Sequence, residues 1–225
     1  KLRITCPDQS CYTYLISDRG AYDRFPLTAG NGSYALQVLE NVAGDTYTVS
    51  LAQSINVNIE DEFLPFLYPN QYVNFHTDSK AVSKGSDLAK DTYSDLDVVQ
   101  NIYNYVIKNI SYDTEKAQNV SYGYVPDIDD TLSSKKGICF DYAALMASML
   151  RSQNIPTKLE VGYSGDAYHA WISTYIDDKG WVDDIIQFNG NTWQIMDPTL
   201  AATNDSAAVK KYIGDGSHYV VKYTY

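Results

Sequence analysis

A cysteine and a histidine in the second half of the chain have the side chains that nucleophilic acyl transfer requires. Cys139 stands at the start of an apolar segment, directly after Gly137 and Ile138. The segment predicts a buried helix, and the unsatisfied N–H groups at a helix N-terminus favour the thiolate, the nucleophilic form of cysteine. An inert buried thiol is the alternative for a lone cysteine.

His169 follows 30 residues later in a predicted strand, where alternation places it on one face with Trp171 and Ser173. Asp197 ends a further predicted strand just before Pro198. Its carboxylate would accept from one imidazole nitrogen and orient the ring. A core histidine and a turn aspartate are the alternatives. Together with the thiol, the two side chains would supply a nucleophile, a general base and an orienting acid.

Three motifs around these residues resemble the core of the bacterial transglutaminase-like superfamily, in the same chain order. They are Gly137-Ile138-Cys139-Phe140-Asp141-Tyr142-Ala143, His169-Ala170-Trp171 and Met196-Asp197-Pro198-Thr199. The resemblance extends from about Ser86 to Leu200. It implies a papain-like core, in which a Cys-bearing buried helix packs on an antiparallel sheet and Cys139, His169 and Asp197 form the catalytic triad.

The implied reaction is attack of the Cys139 thiolate on a protein or peptide amide, giving a thioester, with His169 protonating the departing ammonia or amine. An amine acceptor gives a cross-link, and water gives deamidation or peptide hydrolysis; no residue separates these outcomes. The Cys139 N–H and a second donor, for which Tyr122 and Tyr124 are candidates, would hold the oxyanion. Trp171 either walls the substrate cleft or packs in the core.

No cofactor or metal is expected. The chain has three His and no Cys-x-x-Cys pair, so a structural zinc site is disfavoured. The acidic segment Asp127-Ile128-Asp129-Asp130 is too short for an EF-hand loop and is interpreted as a turn.

Strand-like segments separated by turn signals dominate the first 80 residues, which predicts a small β-sandwich domain over residues 1–80. Asn31-Gly32 is a candidate hairpin turn, and the polar segment Thr77–Ser86 is the predicted boundary. The predicted strands are Tyr12–Ile16, Tyr34–Leu39, Tyr47–Leu51 and Ile55–Ile59.

Residues 81–225 are predicted to form the α+β catalytic domain. Apolar residues at helical spacing from Leu96 to Ile110, after a capping Ser94, predict an amphipathic helix. A polar loop from Ser111 to Ser134 precedes the buried helix. The strands predicted after that helix are Leu159–Tyr163, Tyr168–Ile176, Trp181–Phe188 and Thr192–Met196.

The net charge of −11, with basic residues clustered only in pairs, argues against nucleic acid as a partner, since binding its phosphates needs clustered Lys and Arg. It disfavours an anionic membrane surface for the same reason. It favours a basic or lysine-bearing protein or peptide as partner. No apolar stretch approaches the length that crosses a bilayer. The 21 tyrosines suit strand faces and, around the triad motifs, a peptide-binding cleft.

A disulfide between Cys6 and Cys11 is feasible across a turn, and two unpaired thiols are the alternative. The disulfide would indicate an oxidising compartment and so a secreted or cell-surface protein. Because the chain starts at Lys1 rather than Met, we expect a trimmed or mature form.

Two other functions fit parts of the pattern. A surface binding or adhesion module would use the β-rich domain and carry a vestigial triad. An acetyltransferase of the Cys-His-Asp type would use coenzyme A, although the motifs resemble the transglutaminase cores more closely.

Overall fold

The structure is a computed structural model that describes residues 1–16, 20, 22–177, 179–182, 186–188, 193–195, 199, 202 and 218–225. The chain divides into two compact units, Lys1–Pro65 and Phe66–Tyr225. The predicted boundary between residues 80 and 81 lies inside the second unit. Among the described residues, no helix has the length and hydrophobicity to cross a membrane.

The first unit is β-rich, as predicted. Its strands are β1 (Leu2–Thr5), β2 (Cys11–Tyr14), β3 (Gly32–Ala43) and β4 (Thr46–Val57). These described strands form one antiparallel sheet in the order β2-β1-β3-β4 rather than two packed sheets. One cause is that the predicted strands Tyr47–Leu51 and Ile55–Ile59 fall on the single strand β4, which ends at Val57 and stays paired with β3 between them.

The long β3–β4 hairpin turns at Gly44, which has a φ of 54°, and not at Asn31-Gly32 as predicted. Asn31 instead accepts a hydrogen bond from the Ile59 N–H at 2.6 Å, next to the start of β3. Buried tyrosines of this sheet, Tyr14 and Tyr34, form much of its core.

Cys6 and Cys11 are both free thiols, so the feasible disulfide is not formed. Cys11 pairs with Thr5 in the β1–β2 register, which places its side chain on the sheet face opposite to that of Cys6. Cys6 is accordingly buried and Cys11 exposed. Burial raises the pKa of the Cys6 thiol.

Helices dominate the first half of the second unit. The predicted helix after Ser94 is confirmed, and Ser94 Oγ accepts from the Asp97 N–H at 3.2 Å. The predicted loop from Ser111 to Ser134 contains two short helices whose polar sequences show no apolar periodicity. The helices are α1 (Lys80–Leu88), α2 (Asp95–Asn109), α3 (Thr114–Asn119), α4 (Ile128–Ser134) and α5 (Cys139–Arg151).

A two-residue parallel pair, β5 (Ser111–Tyr112) and β6 (Lys136–Gly137), leads into α5. The remaining strands are β7 (Thr157–Ser164), β8 (Ala167–Ile176), β9 (Gly180–Val182), β10 (Ile186–Phe188), β11 (Trp193–Ile195) and β12 (Tyr219–Thr224). The α+β prediction for residues 81–225 is confirmed, because the buried helix α5 packs against β7 and β8 of an antiparallel sheet with the order β12-β7-β8-β9.

Candidate active site

Cys139 is the first residue of α5 and is partly exposed, whereas Asp141 to Arg151 are buried. The preceding residue, Ile138, is the N-cap in an extended conformation. The first N–H groups of a helix have no acceptor inside the helix, and the helix dipole favours negative charge there. The thiol of Cys139 and its own N–H therefore lie where a thiolate and an oxyanion are stabilised.

The turn before Cys139 is tightly packed. A Cβ at Gly137 would lie 2.7 Å from the Asp141 Cβ, so only glycine fits without a shift. The Gly137 carbonyl accepts from the Asp113 N–H at 2.9 Å, which extends the β5–β6 pairing up to the helix. The backbone of residues 137–139 is thus held from both sides.

Asp141 is fully buried and is the centre of a polar network beneath this turn. Its Oδ2 accepts from the Ile138 N–H and from Lys116 Nζ, both at 2.8 Å. Its Oδ1 accepts from the Tyr124 hydroxyl at 2.5 Å, and Lys116 Nζ also donates to that hydroxyl oxygen at 2.6 Å. Asp141 therefore does more than complement the helix dipole.

Tyr124 is not available as the second oxyanion donor, because its hydroxyl proton is donated to Asp141. Burial, with the hydrogen bond to Asp141 and the charges of Asp141, Asp130 and Asp127, raises the pKa of Tyr124 far above its usual value. Tyr122 is 78% exposed, and its part as oxyanion donor stays a prediction.

His169 lies on β8, the strand that packs against α5, and is 1% exposed. Its cross-strand partner on β7 is Gly162, where a Cβ would lie 1.9 Å from the Val220 carbonyl oxygen of β12. The backbone of β12 thus approaches β7 closely at the level of the histidine. The ring centroid of Tyr219, also on β12, lies 6.4 Å from that of His169.

Trp171 stacks beside His169 with 6.0 Å between ring centroids and is 2% exposed. Its indole N–H donates to Glu160 at 3.0 Å, and the Ser173 hydroxyl donates to the same carboxylate oxygen at 2.6 Å. These contacts place Trp171 in the packing around His169, and its part in a substrate cleft stays a prediction. Sequence reasoning missed Glu160, which alternation on β7 places on the face of its cross-strand partner Trp171.

Tyr168 on β8 responds electrostatically to Cys139 on α5. Burial, followed by the charges of Tyr223, Tyr163 and Cys139, raises the pKa of Tyr168. A charge on Cys139 therefore acts on the residue that precedes His169. Asp197, the predicted orienting acid, lies outside the described residues, so its place relative to His169 stays a prediction.

An aromatic cluster surrounds the start of α5. Tyr72 contacts Phe140 at 5.3 Å and Tyr225 at 4.7 Å between ring centroids. Tyr168, 57% exposed, contacts Tyr163 at 5.6 Å. Tyr72 was missed because no sequence motif marks it, and it contacts Phe140 from more than 60 residues away in the chain.

The described residues contain no group of three or more His, Cys, Asp or Glu side chains placed to hold a metal ion. The acidic segment interpreted as a turn begins α4 and caps helices. Asp127 accepts from the N–H groups of Asp129 and Asp130. Asp129 accepts from the N–H groups of Lys80 and Ala81 at 3.0 and 2.9 Å, which caps α1 from a distant segment.

Comparison with known proteins identifies the helical and sheet region as a known type of domain. Residues 83–183 match the family model of the transglutaminase-like superfamily. The chain is 30% identical over 118 residues to UPF0252 protein MJ1282 of Methanocaldococcus jannaschii, which covers 45% of this chain and 34% of that protein. It is 30% identical over 107 residues to Kyphoscoliosis peptidase of Mus musculus, covering 42% of this chain and 16% of that protein.

Among solved structures, the periplasmic domain of TgpA from Pseudomonas aeruginosa has a TM-score of 0.49 and 15% identity, over 93% of this chain and 89% of that one. The chain spans about a third of the first curated relative and about a sixth of the second. The sequence match covers α2 to β8 completely, including the helix that begins with Cys139 and the strand that carries His169. Residues 83–183 of this chain belong to the transglutaminase-like superfamily.

Proposed function

We propose that the protein is a cysteine enzyme that transfers the acyl group of protein or peptide amides through a thioester on Cys139. The observation that carries the proposal is the position of Cys139, a partly exposed thiol at the first residue of a buried helix packed against the strand of His169. His169 acts as general base, and Asp197 orients its imidazole.

The reaction takes place in two stages. His169 takes the proton of the Cys139 thiol, and the thiolate attacks the amide carbon. The oxyanion is held by the Cys139 N–H and a second donor, and ammonia or an amine leaves with the proton held by His169. His169 then removes a proton from the acceptor, which attacks the thioester and releases the Cys139 thiolate, and return of that proton to the sulfur regenerates the thiol. A lysine amine as acceptor gives a cross-link, whereas water gives deamidation or peptide cleavage.

The substrate that we propose is a protein or peptide, and a basic or lysine-bearing one fits the net charge of −11. The secreted or cell-surface location stays a prediction. A Cys6–Cys11 disulfide does not support this location, because both thiols are free.

The test is incubation with a glutamine-rich protein and a fluorescent primary amine, with ammonia release and peptide cleavage measured in parallel. Cys139→Ala and His169→Ala are expected to abolish all turnover, whereas Cys11→Ala, which removes an exposed thiol in the other unit, is expected to leave it unchanged. Mass spectrometry of the Cys139 peptide after exposure to the substrates would identify the acyl group. Turnover that persists in Cys139→Ala, or none in the unaltered protein over a broad substrate panel, would contradict the proposal.

The second candidate, a binding or adhesion module with a vestigial triad, is tested by the same variants. It predicts no Cys139-dependent turnover and unchanged surface binding in Cys139→Ala.

A further inference from the structure

We infer that Asp141 and Lys116 are positioning residues for the nucleophile, Asp141 by holding the backbone next to Cys139 and Lys116 by cancelling the charge of that carboxylate. The inference rests on the proposed function in taking Cys139 as the nucleophile. It concerns two side chains outside the proposed triad, of which Asp141 lies in the motif around Cys139 and Lys116 lies in none of the quoted motifs.

Asp141 holds the turn before Cys139 through a hydrogen bond to the backbone. An N-cap residue with a side-chain oxygen would hold the turn by itself, but Ile138 has none. Asp141, at the third position of the helix, accepts the Ile138 N–H at 2.8 Å instead. Because the next peptide group carries the Cys139 N–H, this bond constrains the direction of that N–H and of the thiol.

The negative charge of Asp141 also bears on the reactivity of Cys139. The Asp141 carboxylate is fully buried two residues from Cys139, and an uncompensated negative charge there would oppose formation of the thiolate. Lys116 forms an ion pair with it at 2.8 Å and so cancels this effect. The Lys116 side chain is 27% exposed and lines an open cavity of about 640 Å³, so it can be replaced without filling or emptying the core.

Other titratable groups lie on the elements around this turn, and they are unchanged in the variants below. Tyr124 donates to Asp141, and its pKa responds to Asp127 and Asp130 at the start of α4. On the two strands that α5 packs against, the titratable groups include His169 and Tyr168 on β8 and Glu160 on β7.

The experiment measures the rate at which iodoacetamide alkylates Cys139 across a range of pH, with mass spectrometry of the Cys139 peptide so that other thiols do not contribute. Lys116→Met is expected to move the midpoint to higher pH and to slow alkylation near neutral pH by about 5- to 10-fold, as for the loss of a nearby opposite charge. Asp141→Asn, which keeps an oxygen for the Ile138 N–H, is expected to move the midpoint to lower pH. The double variant is expected to return the rate to within about twofold of the original protein.

A merely structural role would move both single variants in the same direction, or neither, and that result would overturn the inference. Lys116→Arg keeps the charge and is expected to keep the midpoint. Lys136→Met removes another lysine that lines the same cavity, and no hydrogen bond joins that lysine to Asp141 among the described contacts. Equal profiles for Lys116→Met and Lys136→Met would also overturn the inference, even if Asp141→Asn does not fold.

The alkylation assay needs no amide substrate, which separates the two proposals. Opposite shifts without amide turnover support this inference while the proposed function fails. Turnover without the shifts supports the proposed function alone.

Discussion

The two ends of α5 each bury one charged side chain, but they hold it by different chemistry. At the N-terminal end, Asp141 is bound by a lysine, a tyrosine hydroxyl and one backbone N–H. At the C-terminal end, the Arg151 guanidinium donates to the backbone carbonyls of Thr157 at 2.8 Å, Tyr68 at 2.9 Å and Tyr225 at 2.7 Å. Burial lowers the pKa of Arg151 to about 9, so it is charged at neutral pH.

Both charges complement the helix dipole, since the acid is at the N-terminal end and the base at the C-terminal end. The difference lies in what surrounds them. The carbonyls around Arg151 come from three separate segments, so the guanidinium connects these segments through hydrogen bonds to their backbone. Asp141 lies two residues from the proposed nucleophile, and there Lys116 pairs with its charge. We therefore expect the Arg151 end of α5 to contribute mainly to stability and the Asp141 end mainly to the reactivity of Cys139.

Arg151→Met should have the largest effect on stability. It would remove two buried hydrogen bonds, to the Thr157 and Tyr225 carbonyls, and a partly buried one, to the Tyr68 carbonyl. We expect a loss of about 3 to 5 kcal/mol in the free energy of unfolding, measured by urea denaturation. The alkylation midpoint of Cys139 should stay unchanged in the folded protein. Lys108→Met, at an exposed site in the last turn of α2, should cost less than about 0.5 kcal/mol. A loss below about 1 kcal/mol in Arg151→Met would show that the three bonds contribute little.

Asp141→Ala should have a smaller effect on stability and a larger one on reactivity. The Ile138 N–H loses its acceptor, but Lys116 can reach solvent, so we expect a loss of about 2 to 3 kcal/mol. The pH dependence of Cys139 alkylation should change in Asp141→Ala, whereas it should stay unchanged in Arg151→Met. If both variants leave the profile unchanged, the two ends of α5 do not differ as we describe.

Asp129→Ala tests a carboxylate that, like Asp141, accepts from backbone N–H groups, but at the start of α1 rather than beside the proposed nucleophile. Losing the cap of α1 should cost about 1 kcal/mol. Hydrogen exchange at the Lys80 and Ala81 amides should accelerate. Asp130→Ala, at the exposed neighbouring position, provides the control, and equal losses in the two variants would contradict a specific cap.

Tyr72→Phe should have the smallest effect at neutral pH, because only a hydroxyl is removed. The Tyr72 ring contacts Phe140 at one end of α5 and Tyr225, whose carbonyl binds Arg151, at the other. Burial, with the charges of Tyr122 and Tyr168, raises the pKa of Tyr72 from 10.0 to about 12. The folded state therefore favours the neutral phenol.

The stability from this preference is fully present below pH 10 and is lost as the pH rises toward 12. The unaltered protein should lose stability over this interval more steeply than Tyr72→Phe, measured by urea denaturation at each pH. Tyr93→Phe, at a site 96% exposed, should behave like the unaltered protein. Parallel curves for the three proteins would contradict the assignment of this pH dependence to Tyr72.

Local patterning accounts for the elements that could be predicted. The helical spacing of apolar residues in α2, the apolar run of α5 and the alternation in β7 and β8 are properties of short segments. α1, α3 and α4 were missed because their polar sequences depend on caps, and for α1 that cap is Asp129 from a segment 48 residues away. β12 was missed because it joins the sheet at the edge of β7, a strand more than 50 residues earlier in the chain.

The sequence by itself determined the residue types for acyl transfer, the helix that begins at Cys139 and the strand that carries His169, because short-range periodicity and the motifs encode them. Only the tertiary structure decided what surrounds them. Lys116 and Asp141 are 25 residues apart, and Glu160 and Trp171 are on separate strands. Burying a charge or a polar N–H requires a partner, and the chain provides that partner by folding, from positions that no local pattern marks.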